Sequence, residues 1–526
     1  MRISIDQKDM DITAGGTVLD AARAAGVAIP TMCHHPSCKP FSSCMVCVVK
    51  DERRGCLIPS CAAPAEDGMV ISTATPEVLA ARKDALELLL SEHVGDCEAP
   101  CRLACPVHVN IPLMIRQIRD GDLAGAAATV RRHAVLPSVL GRVCHAPCEK
   151  VCRRRQHDDA VAICLLSCHA ADADRGTEPA EEPAPSVPGV KVAVVGSGPA
   201  GLAAAVHLRR SGYACAVMDA AAEPGGSLRE RAGATQLPRD VLDADVDRIR
   251  RLGVSFQMKT RVGADVSLEE LRKSFSAVVL AVGEAGRAAF AAVEPAETVA
   301  ALHTPGAAIQ TDGRGVFFCG SAAHPGRKPV QAMADGESAA QVVRQYLGHQ
   351  ALLGEHRRFN SRVGHLRPGE MAEFLKEADP SPRVQPAGGV AVGFTAEEAR
   401  KEAGRCLHCD CRKRTACALR DYADACGAGQ SAFRGVDRNP VEKLWQHPRI
   451  VYEPGKCIRC GLCVQISEQA GETFGMTFVR RGFNVRIAPP FGESLAAALR
   501  QSGAECVAVC PTGALAWKNT SCESST

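Results

Sequence analysis

Cysteine dominates the chemistry that this chain could perform, with 27 copies among 526 residues, most of them in closely spaced groups. Disulfides are typical of small secreted proteins, whereas cysteines two or three residues apart in a large chain are typical of metal ligands. Thiolates at such spacings select iron–sulfur clusters or zinc. Because zinc carries no electrons, a redox cofactor elsewhere in the chain favours iron and sulfide.

The first group consists of Cys33, Cys44, Cys47 and Cys61, spaced C-x10-C-x2-C-x13-C. This spacing suits a loop wrapped around a small cluster, with the last ligand arriving from a separate turn. The segments TMCHHP, CMVCVV and PSCAAP resemble the [2Fe–2S] ferredoxin module at the start of the large iron–sulfur subunit of respiratory complex I and of iron-only hydrogenases. The resemblance implies a β-grasp fold over residues 1–80 and a [2Fe–2S] cluster on these four thiolates.

The second group lies in a segment, residues 81–171, whose pattern predicts helices. It contains His93-x3-Cys97-x3-Cys101-x3-Cys105 and, later, Cys144-x3-Cys148-x3-Cys152. Two cysteine runs separated by helices can each lend ligands to two cubane clusters. The segment resembles the N-terminal domain of the small subunit of glutamate synthase, also found in dihydropyrimidine dehydrogenase. The resemblance implies one [4Fe–4S] cluster on Cys97, Cys101 and Cys152, and a second on Cys105, Cys144 and Cys148.

Two ligand positions stay open. His93 stands where that family has a cysteine, and it is either a structural residue or a ligand, as in the similar His-x3-Cys start found in complex I. The fourth ligand of the second cluster is a non-cysteine side chain in family members. Here the corresponding region, AVAICLLSCHAAD, offers Cys164, Ser167 or Cys168.

A dinucleotide-binding fingerprint lies at the centre of the chain, in VAVVGSGPAG. An apolar strand ends in Gly196-x-Gly198-x-x-Gly201 and passes into an alanine-rich helix. The first glycine permits the turn, the second lets the backbone approach a pyrophosphate, and the third lets helix pack on strand. A second apolar strand ends in Asp219, which is placed to accept hydrogen bonds from a ribose.

Later segments match, in order, the FAD domain of the glutamate synthase small-subunit family, ending in DGRGVFFCGSAAHPGRKPVQAMADGESAAQVV. The resemblance implies FAD, with Gly320 as a second cofactor-contacting glycine followed by Ser321 where family members carry an acid. In that family an NADPH-binding domain is inserted between the motifs at Ala281–Gly283 and Gly315–Gly320. Only about thirty residues bridge them here, too few for a βαβ unit, so we expect no pyridine-nucleotide site on this chain. The remaining candidate cofactor contacts are Pro199, Ala200, Gly226 and Gly283.

Two more cysteine groups follow. Cys406, Cys409, Cys411 and Cys417 form a compact knot that suits either a structural zinc or a further cluster. Cys457-x2-Cys460-x2-Cys463, with a remote Cys510-Pro, is the bacterial ferredoxin arrangement for [4Fe–4S]. The segments CIRCGLC and CPTGAL resemble the ferredoxin part of complex I and hydrogenase subunits, which implies a C-terminal ferredoxin-like domain.

The fold class expected is multidomain α/β and α+β. The net charge of +3, without a long basic run, argues against nucleic acid. The chain shows no apolar signal core and no apolar run long enough to span a bilayer, so we expect a cytoplasmic protein. The expected modules are a [2Fe–2S] ferredoxin at 1–80, a helical domain with two [4Fe–4S] clusters at 81–171, a linker at 172–189, an FAD domain at 190–350, a linker at 351–395, a cysteine knot at 396–430 and a [4Fe–4S] ferredoxin-like domain at 440–520.

These features predict an electron-transfer flavoprotein subunit that relays electrons between FAD and several clusters. Its expected partner is a catalytic subunit such as a molybdenum or tungsten oxidoreductase, a hydrogenase or a nucleotide dehydrogenase, with ferredoxin as a further partner. The alternative is a self-sufficient NAD(P)H:acceptor oxidoreductase of the glutamate synthase small-subunit type. A scaffold with structural clusters is disfavoured by the intact fingerprint and the separate cluster modules.

Overall fold

The computed structural model describes residues 2–12, 15–173, 184–231, 237–291, 310–311, 315–353, 358–433, 435 and 438–518. The chain divides into two compact units that both mix helices and strands. Unit 1 comprises Met1–Ala99, Arg358–Lys376 and Cys409–Thr526, and unit 2 comprises Pro100–Arg357 and Glu377–His408. Each unit therefore gathers segments that are far apart in the sequence.

Unit 1 begins with a five-stranded sheet in the order β2-β1-β5-β3-β4. Strands β1 and β5 are parallel, and the other neighbouring pairs are antiparallel. Ile3 and Ile5 alternate with more exposed residues along β1 and point into the core, as a half-buried strand requires. The strands are β1 Arg2–Ile5, β2 Lys8–Asp11, β3 Val48–Asp51, β4 Cys56–Pro59 and β5 Val70–Ser72.

The rest of unit 1 is mainly helical and includes two short antiparallel strand pairs. Ile450–Tyr452 pairs with Leu515–Trp517, and Thr477–Val479 pairs with Arg486–Ala488. One apolar core joins the loop around Cys33 to the C-terminal segments. The helices of the unit are Val18–Ala24, Pro76–Ser91, Glu370–Leu375, Ala418–Ala425, Leu462–Gln469, Leu495–Ala498 and Gly503–Val509.

Unit 2 contains a six-stranded sheet in the order β10-β11-β9-β6-β7-β8, parallel except for β10 at one edge. Strands β6 and β9 are buried almost throughout, which explains why they read as continuous apolar runs. The strands are β6 Lys191–Val195, β7 Ala214–Asp219, β8 Ser255–Met258, β9 Ala277–Leu280, β10 Gln310–Thr311 and β11 Val316–Phe318.

The helices of unit 2 fall into two groups that share one apolar core. The first group carries the cysteine runs, and the second covers the sheet. Across the described ranges, no helix is both long and apolar enough to cross a membrane. The helices are Pro100–Ala104, Ile111–Asp120, Leu123–His133, Pro137–Val143, Pro147–Lys150, Ile163–Asp172, Pro199–Arg210, Ser227–Arg231, Arg239–Arg251, Leu268–Ser274, Gly283–Ala291, Pro329–Leu347 and Ala396–Gly404.

Candidate functional site

The structure brings Cys33, Cys44, Cys47 and Cys61 together in a buried loop of unit 1. The Cys33 thiol makes hydrogen-bonding contacts with Cys44 and Cys61, and Cys47 contacts Cys61. These contacts lower the pKa of Cys33 to about 2 and that of Cys47 to about 6, despite burial. The same contacts raise the pKa of Cys44 and of Cys61, so the protons are shared unevenly within a set of thiols that contact one another.

The loop that carries these thiols has an unusual backbone. Ser42 and Met45 both adopt positive φ angles of 53°, a conformation that non-glycine residues seldom take. The Ser60 hydroxyl donates a hydrogen bond of 2.8 Å to the Cys47 carbonyl oxygen, and this bond ties the turn bearing Cys61 to the loop. Such backbone strain is typical of loops that wrap a ligand.

A second set of four thiols surrounds a small apolar cavity in unit 1. Cys457, Cys460, Cys463 and Cys510 all line this cavity, together with Tyr452 and other side chains. Burial and the charge of Cys510 raise the pKa of Cys457 to about 11. Thiolates placed so close together repel one another unless a cation neutralises them. The donor set and its apolar shell therefore fit a [4Fe–4S] cluster.

The two thiol sets of unit 1 are held side by side. The side chain of Gln465 accepts a hydrogen bond of 2.8 Å from Lys39 N and donates one of 3.1 Å to Lys39 O. Gln469 donates to Ser37 O at 2.7 Å, and Phe41 stacks on Phe478 with ring centroids 5.6 Å apart. The loop bearing Cys44 is thus fixed to the helix that carries Cys463.

Electrostatics indicates the same proximity. Burial raises the pKa of Cys460, and the charges of Cys510, Cys457 and Cys33 add to the rise. Cys33 belongs to the N-terminal set, so its charge reaches the C-terminal set. Sequence reasoning missed both glutamines, because a polar residue on a surface helix gives no signal of the loop that it contacts.

In unit 2 a third set forms around Cys164. Its thiol makes hydrogen-bonding contacts with Cys144 and Cys148. Burial raises the pKa of Cys105 to about 12, and the charges of Cys148 and Cys144 contribute. Four thiols from three separate helical segments therefore gather at one place in the core of this unit.

The other two candidates for the fourth position have different partners. Arg142 donates a hydrogen bond of 3.1 Å to the Cys168 sulfur, and Cys168 lies 3.5 Å from Asp172. The Ser167 hydroxyl donates to the Met114 sulfur at 3.3 Å. The contacts of Cys164 with Cys144 and Cys148 thus favour Cys164 as the fourth member of this set.

The remaining residues of the helical cysteine ladder are distributed over both units. Cys101 and Cys152 pack against the apolar core of unit 2, as does Cys406. Cys97 belongs to unit 1 together with Cys409, Cys411 and Cys417. The family resemblance implied one set of Cys97, Cys101 and Cys152, and its members belong to different units. The same is true of the predicted knot from Cys406 to Cys417.

His93 also belongs to unit 1, where burial and the charge of Lys456 lower its pKa to about 4. Its Nδ1 atom is buried, with no hydrogen-bond partner among the described residues. Within the described part of the chain, no three His, Cys, Asp or Glu side chains converge as one bound ion requires. Zinc at Cys406–Cys417 therefore gains no support. A cubane takes one protein ligand at each iron, so its ligands need not converge on a single ion.

The glycine-rich loop of unit 2 has the geometry that its sequence predicts. Gly196 has a φ of 103° and lies against the Ala281 carbonyl, while a Cβ on Gly201 would overlap the Gly196 carbonyl oxygen. A Cβ on Gly198 would meet nothing within 4 Å. Two glycines thus serve packing, and the third leaves open the space before the helix Pro199–Arg210.

The residues around this loop close it from three sides. Ser197 donates two hydrogen bonds of 2.6 Å, from N and from Oγ, to one carboxylate oxygen of Asp219. Gly226, with a φ of 50°, would place a Cβ 2.8 Å from the Gly198 Cα. Ser197 was missed by sequence reasoning, since it occupies a variable position of the fingerprint.

The second glycine segment reaches the same loop. Gly320 has a φ of 64°, and a Cβ there would lie 2.6 Å from the Ala200 Cβ. It begins a short turn, Gly320–Ala322, that includes Ser321 and leads toward the helix Pro329–Leu347. That helix packs on the fingerprint helix so closely that a Cβ on Gly336 would overlap the Ala200 carbonyl oxygen. Gly283, three residues beyond the neighbouring strand β9, adopts a φ of 71° where the helix Gly283–Ala291 begins.

Three family models match parts of this chain. Residues 1–76 match a 2Fe–2S iron–sulfur cluster binding domain, and residues 91–178 match dihydropyrimidine dehydrogenase domain II, 4Fe–4S cluster. Residues 194–243 match an NAD(P)-binding Rossmann-like domain. The chain therefore contains both iron–sulfur modules and a Rossmann-like domain, as the sequence predicted.

Curated relatives align with about a third of the chain. The NADP(+)-dependent formate dehydrogenase subunit beta of Moorella thermoacetica is 37% identical over 35% of this chain and 29% of its own length. The NADPH-Fe(3+) oxidoreductase subunit beta of Geobacter sulfurreducens is 41% identical over 35% and 28%. The glutamate synthase [NADPH] small chain of Mycobacterium tuberculosis is 37% identical over 36% and 39%. The chain thus covers well under half of these relatives, and its resemblance to the glutamate synthase small-chain group is confirmed.

Proposed function

We propose that this chain is the electron-transfer subunit of a larger oxidoreductase and passes electrons between FAD and several iron–sulfur clusters. FAD exchanges two electrons at once, whereas each cluster carries one, so their combination joins a two-electron substrate to one-electron carriers. In this proposal a partner subunit completes the catalysis. The relatives' names as subunits of formate dehydrogenase and of NADPH-Fe(3+) oxidoreductase support this arrangement.

The proposal depends above all on the contacts that hold the two thiol sets of unit 1 side by side, which we call the clamp. Gln465 and Gln469 fix the loop of the N-terminal set to the helix of the C-terminal set. The two sets share one apolar core. A structural role for either cluster would not require the other beside it, whereas electron transfer requires close neighbours.

For the ligand sets, we propose that Cys33, Cys44, Cys47 and Cys61 hold a [2Fe–2S] cluster in a β-grasp domain. The mixed five-stranded sheet with one crossing helix supports that fold. The C-terminal set of Cys457, Cys460, Cys463 and Cys510 holds a [4Fe–4S] cluster, and the ferredoxin spacing supports it. In unit 2 the [4Fe–4S] ligands are Cys105, Cys144, Cys148 and Cys164.

The Rossmann-like domain of unit 2 binds FAD in this proposal. The helix Pro199–Arg210 presents its first N–H groups and its positive dipole end to the pyrophosphate, and Gly198 leaves room for it. The other carboxylate oxygen of Asp219 accepts a hydrogen bond of 2.9 Å from Ala221 N and has a second lone pair with which to accept from the ribose. The approach of Gly320 to Ala200 supports FAD, because the related flavin domains carry a second glycine segment there.

A second candidate is a self-sufficient NAD(P)H:acceptor oxidoreductase. The match of residues 194–243 to an NAD(P)-binding model favours it, since the same loop geometry would accept a nicotinamide dinucleotide. Against it stands the short span between Gly283 and Gly315, which leaves no room for a second nucleotide unit beside a flavin.

The experiment that tests the proposal is cofactor analysis of the full chain purified without oxygen. We expect one FAD per chain after acid extraction and chromatography, with about ten irons from these three ligand sets and matching sulfide. NAD(P) extracted in place of FAD would support the second candidate. Iron and sulfide near zero after reconstitution would overturn the electron-transfer function.

A further inference from the structure

The segment from Gly95 to Glu98 packs along the cysteine-rich loop of residues 409–420 within unit 1. The Cys411 N–H donates a hydrogen bond of 3.2 Å to the Cys97 carbonyl oxygen. The next residue, Glu98, accepts a hydrogen bond of 2.9 Å from Arg420 and lies 3.8 Å from Arg414. These bonds join two segments that are more than three hundred residues apart in the sequence.

A third segment closes the same place. Ser361 is buried, and its hydroxyl lies 3.2 Å from the Cys97 sulfur, while its N–H donates to that sulfur at 3.4 Å. The Ser361 hydroxyl also donates to the Gly95 carbonyl oxygen at 2.8 Å. A backbone N–H that donates to a cysteine sulfur, as that of Ser361 does here, is typical of the surroundings of iron–sulfur clusters.

Three thiols meet in this region. The N–H of Ala418, the residue after Cys417, donates a hydrogen bond of 2.9 Å to the Pro511 carbonyl oxygen, so Cys417 lies beside the segment that approaches Cys411. Cys97 and Cys417 are each 7% exposed. A Cβ on Gly513 would overlap the Cys411 sulfur, so a backbone without side chain approaches that thiol closely. Two buried thiols and the half-buried Cys411 are therefore held on neighbouring segments of unit 1.

His93 supplies a fourth donor at the same place. It precedes Cys97 by four residues, and its Nδ1 is buried without a hydrogen-bond partner in the described ranges. The Lys456 side chain joins the two places: it passes directly beside Gly95, and it lies close to Gly513, the residue that approaches the Cys411 sulfur. A neutral imidazole nitrogen that finds no protein partner is an available ligand for a metal.

We propose that Cys97, Cys411, Cys417 and His93 hold a further [4Fe–4S] cluster, assembled from the two ends of the sequence that meet in unit 1. In this proposal Cys97 does not share a cluster with Cys101 and Cys152, as the family resemblance implied. Two cysteines of the predicted knot, Cys411 and Cys417, become ligands of the new cluster. The inference rests on the proposed function, because a cluster here adds one more carrier to the unit that holds the clamped thiol sets.

A cluster fits these donors better than zinc does. Zinc carries no electrons, so it would add no carrier to the unit that holds the two neighbouring thiol sets. The one imidazole among three thiolates also removes one negative charge, which raises the potential of the cluster relative to an all-cysteine site.

The test is iron and sulfide analysis of full-length variants purified without oxygen. Cys97→Ser, Cys411→Ser and Cys417→Ser should each lose about four irons and the same electron paramagnetic resonance signal. Cys426→Ser is the matched control, because Cys426 ends the helix that follows Cys417 and should keep all iron. Loss of the same signal in Cys97→Ser and Cys101→Ser, but not in Cys411→Ser, would overturn the proposal.

A measurement on the chain without substitutions tests the proposal even if the variants fail to fold. Protein labelled with ¹⁵N-histidine should show a nitrogen coupling in the pulsed spectrum of one reduced cluster, and His93→Cys should abolish the coupling while keeping the iron. Absence of any histidine coupling, or zinc in place of this iron, would overturn this site alone. Loss of all clusters from the unmodified chain would instead overturn the proposed function, so the two failures are distinguishable.

Discussion

A substitution at Gly198 should disturb cofactor binding with little effect on folding. Its backbone has a φ of −75° and a ψ of −178°, which any residue can adopt, and a Cβ there would meet no protein atom within 4 Å. Gly198→Val therefore extends a side chain into the space before the helix Pro199–Arg210, where we place the FAD pyrophosphate. The variant should lose FAD and keep its fold.

The magnitudes follow from local contacts. Valine is a poorer helix N-cap than glycine by about 1 kcal/mol, and the reduced freedom of its unfolded chain returns a similar amount, so stability should change by less than about 1 kcal/mol. Displacing the pyrophosphate removes at least two hydrogen bonds from N–H groups to a charged ligand, each worth about 1.5 kcal/mol. A loss of about 3 kcal/mol weakens FAD binding more than a hundredfold.

The assay is the ratio of flavin to protein after gel filtration, read together with iron content and thermal unfolding. Gly201→Ala is the contrasting variant, because its methyl group would strike the Gly196 carbonyl oxygen and should lower stability as well as flavin content. Full flavin in Gly198→Val, or flavin loss accompanied by an equal loss of iron and stability, would refute the placement of the pyrophosphate.

Three further predictions concern single residues. Cys164→Ser should lose about four irons whereas Cys168→Ser keeps them. Equal iron content in the two variants would contradict the choice of Cys164 as the ligand. Gln465→Ala should weaken the magnetic interaction between the two reduced clusters of unit 1, measured by microwave power saturation. An unchanged interaction would contradict the role of Gln465 in holding the two clusters side by side. Burial opposes the ionisation of Glu370, but hydrogen bonds from Arg438 and two backbone N–H groups outweigh it and lower its pKa to about 2. This carboxylate therefore stabilises the fold fully above about pH 4.5 and loses its effect only as the pH falls toward 2. Glu370→Gln should thus lower the free energy of unfolding by about 2 kcal/mol, equally at pH 8 and pH 5, and a difference that changes between those two pH values would contradict the assignment.

The sequence predicts local geometry better than it predicts which distant segments meet. The turn at Gly196, the packing at Gly201 and the strand that ends in Asp219 all follow from short-range patterns, because each needs only neighbouring residues. The choice among Cys164, Ser167 and Cys168 depends on which way one helix faces its neighbours, and spacing alone leaves this open.

Long-range assembly is harder still. Nothing near Cys97 in the sequence indicates that Cys411 lies beside it, since the bond between their backbones forms only after both segments fold. Ser361 lies in a stretch whose composition predicts a linker, yet it is buried against the Cys97 sulfur. A family resemblance assigns ligand sets from the spacing of cysteines along the sequence. If two segments exchange cluster partners in the fold, that spacing stays the same, so the resemblance does not reveal the exchange.

The claim that this chain relays electrons is tested most directly by stopped-flow reduction of the isolated, fully loaded chain without oxygen. A strong artificial one-electron donor should bleach both the flavin and the iron–sulfur absorbance, because clusters and flavin on one polypeptide exchange electrons without a substrate pocket. NADH or NADPH should bleach neither at an enzymatic rate, because hydride transfer requires the nicotinamide to be held against the flavin. Rapid, saturable bleaching by either nicotinamide, or a flavin that stays oxidised while the clusters are reduced, would contradict the account.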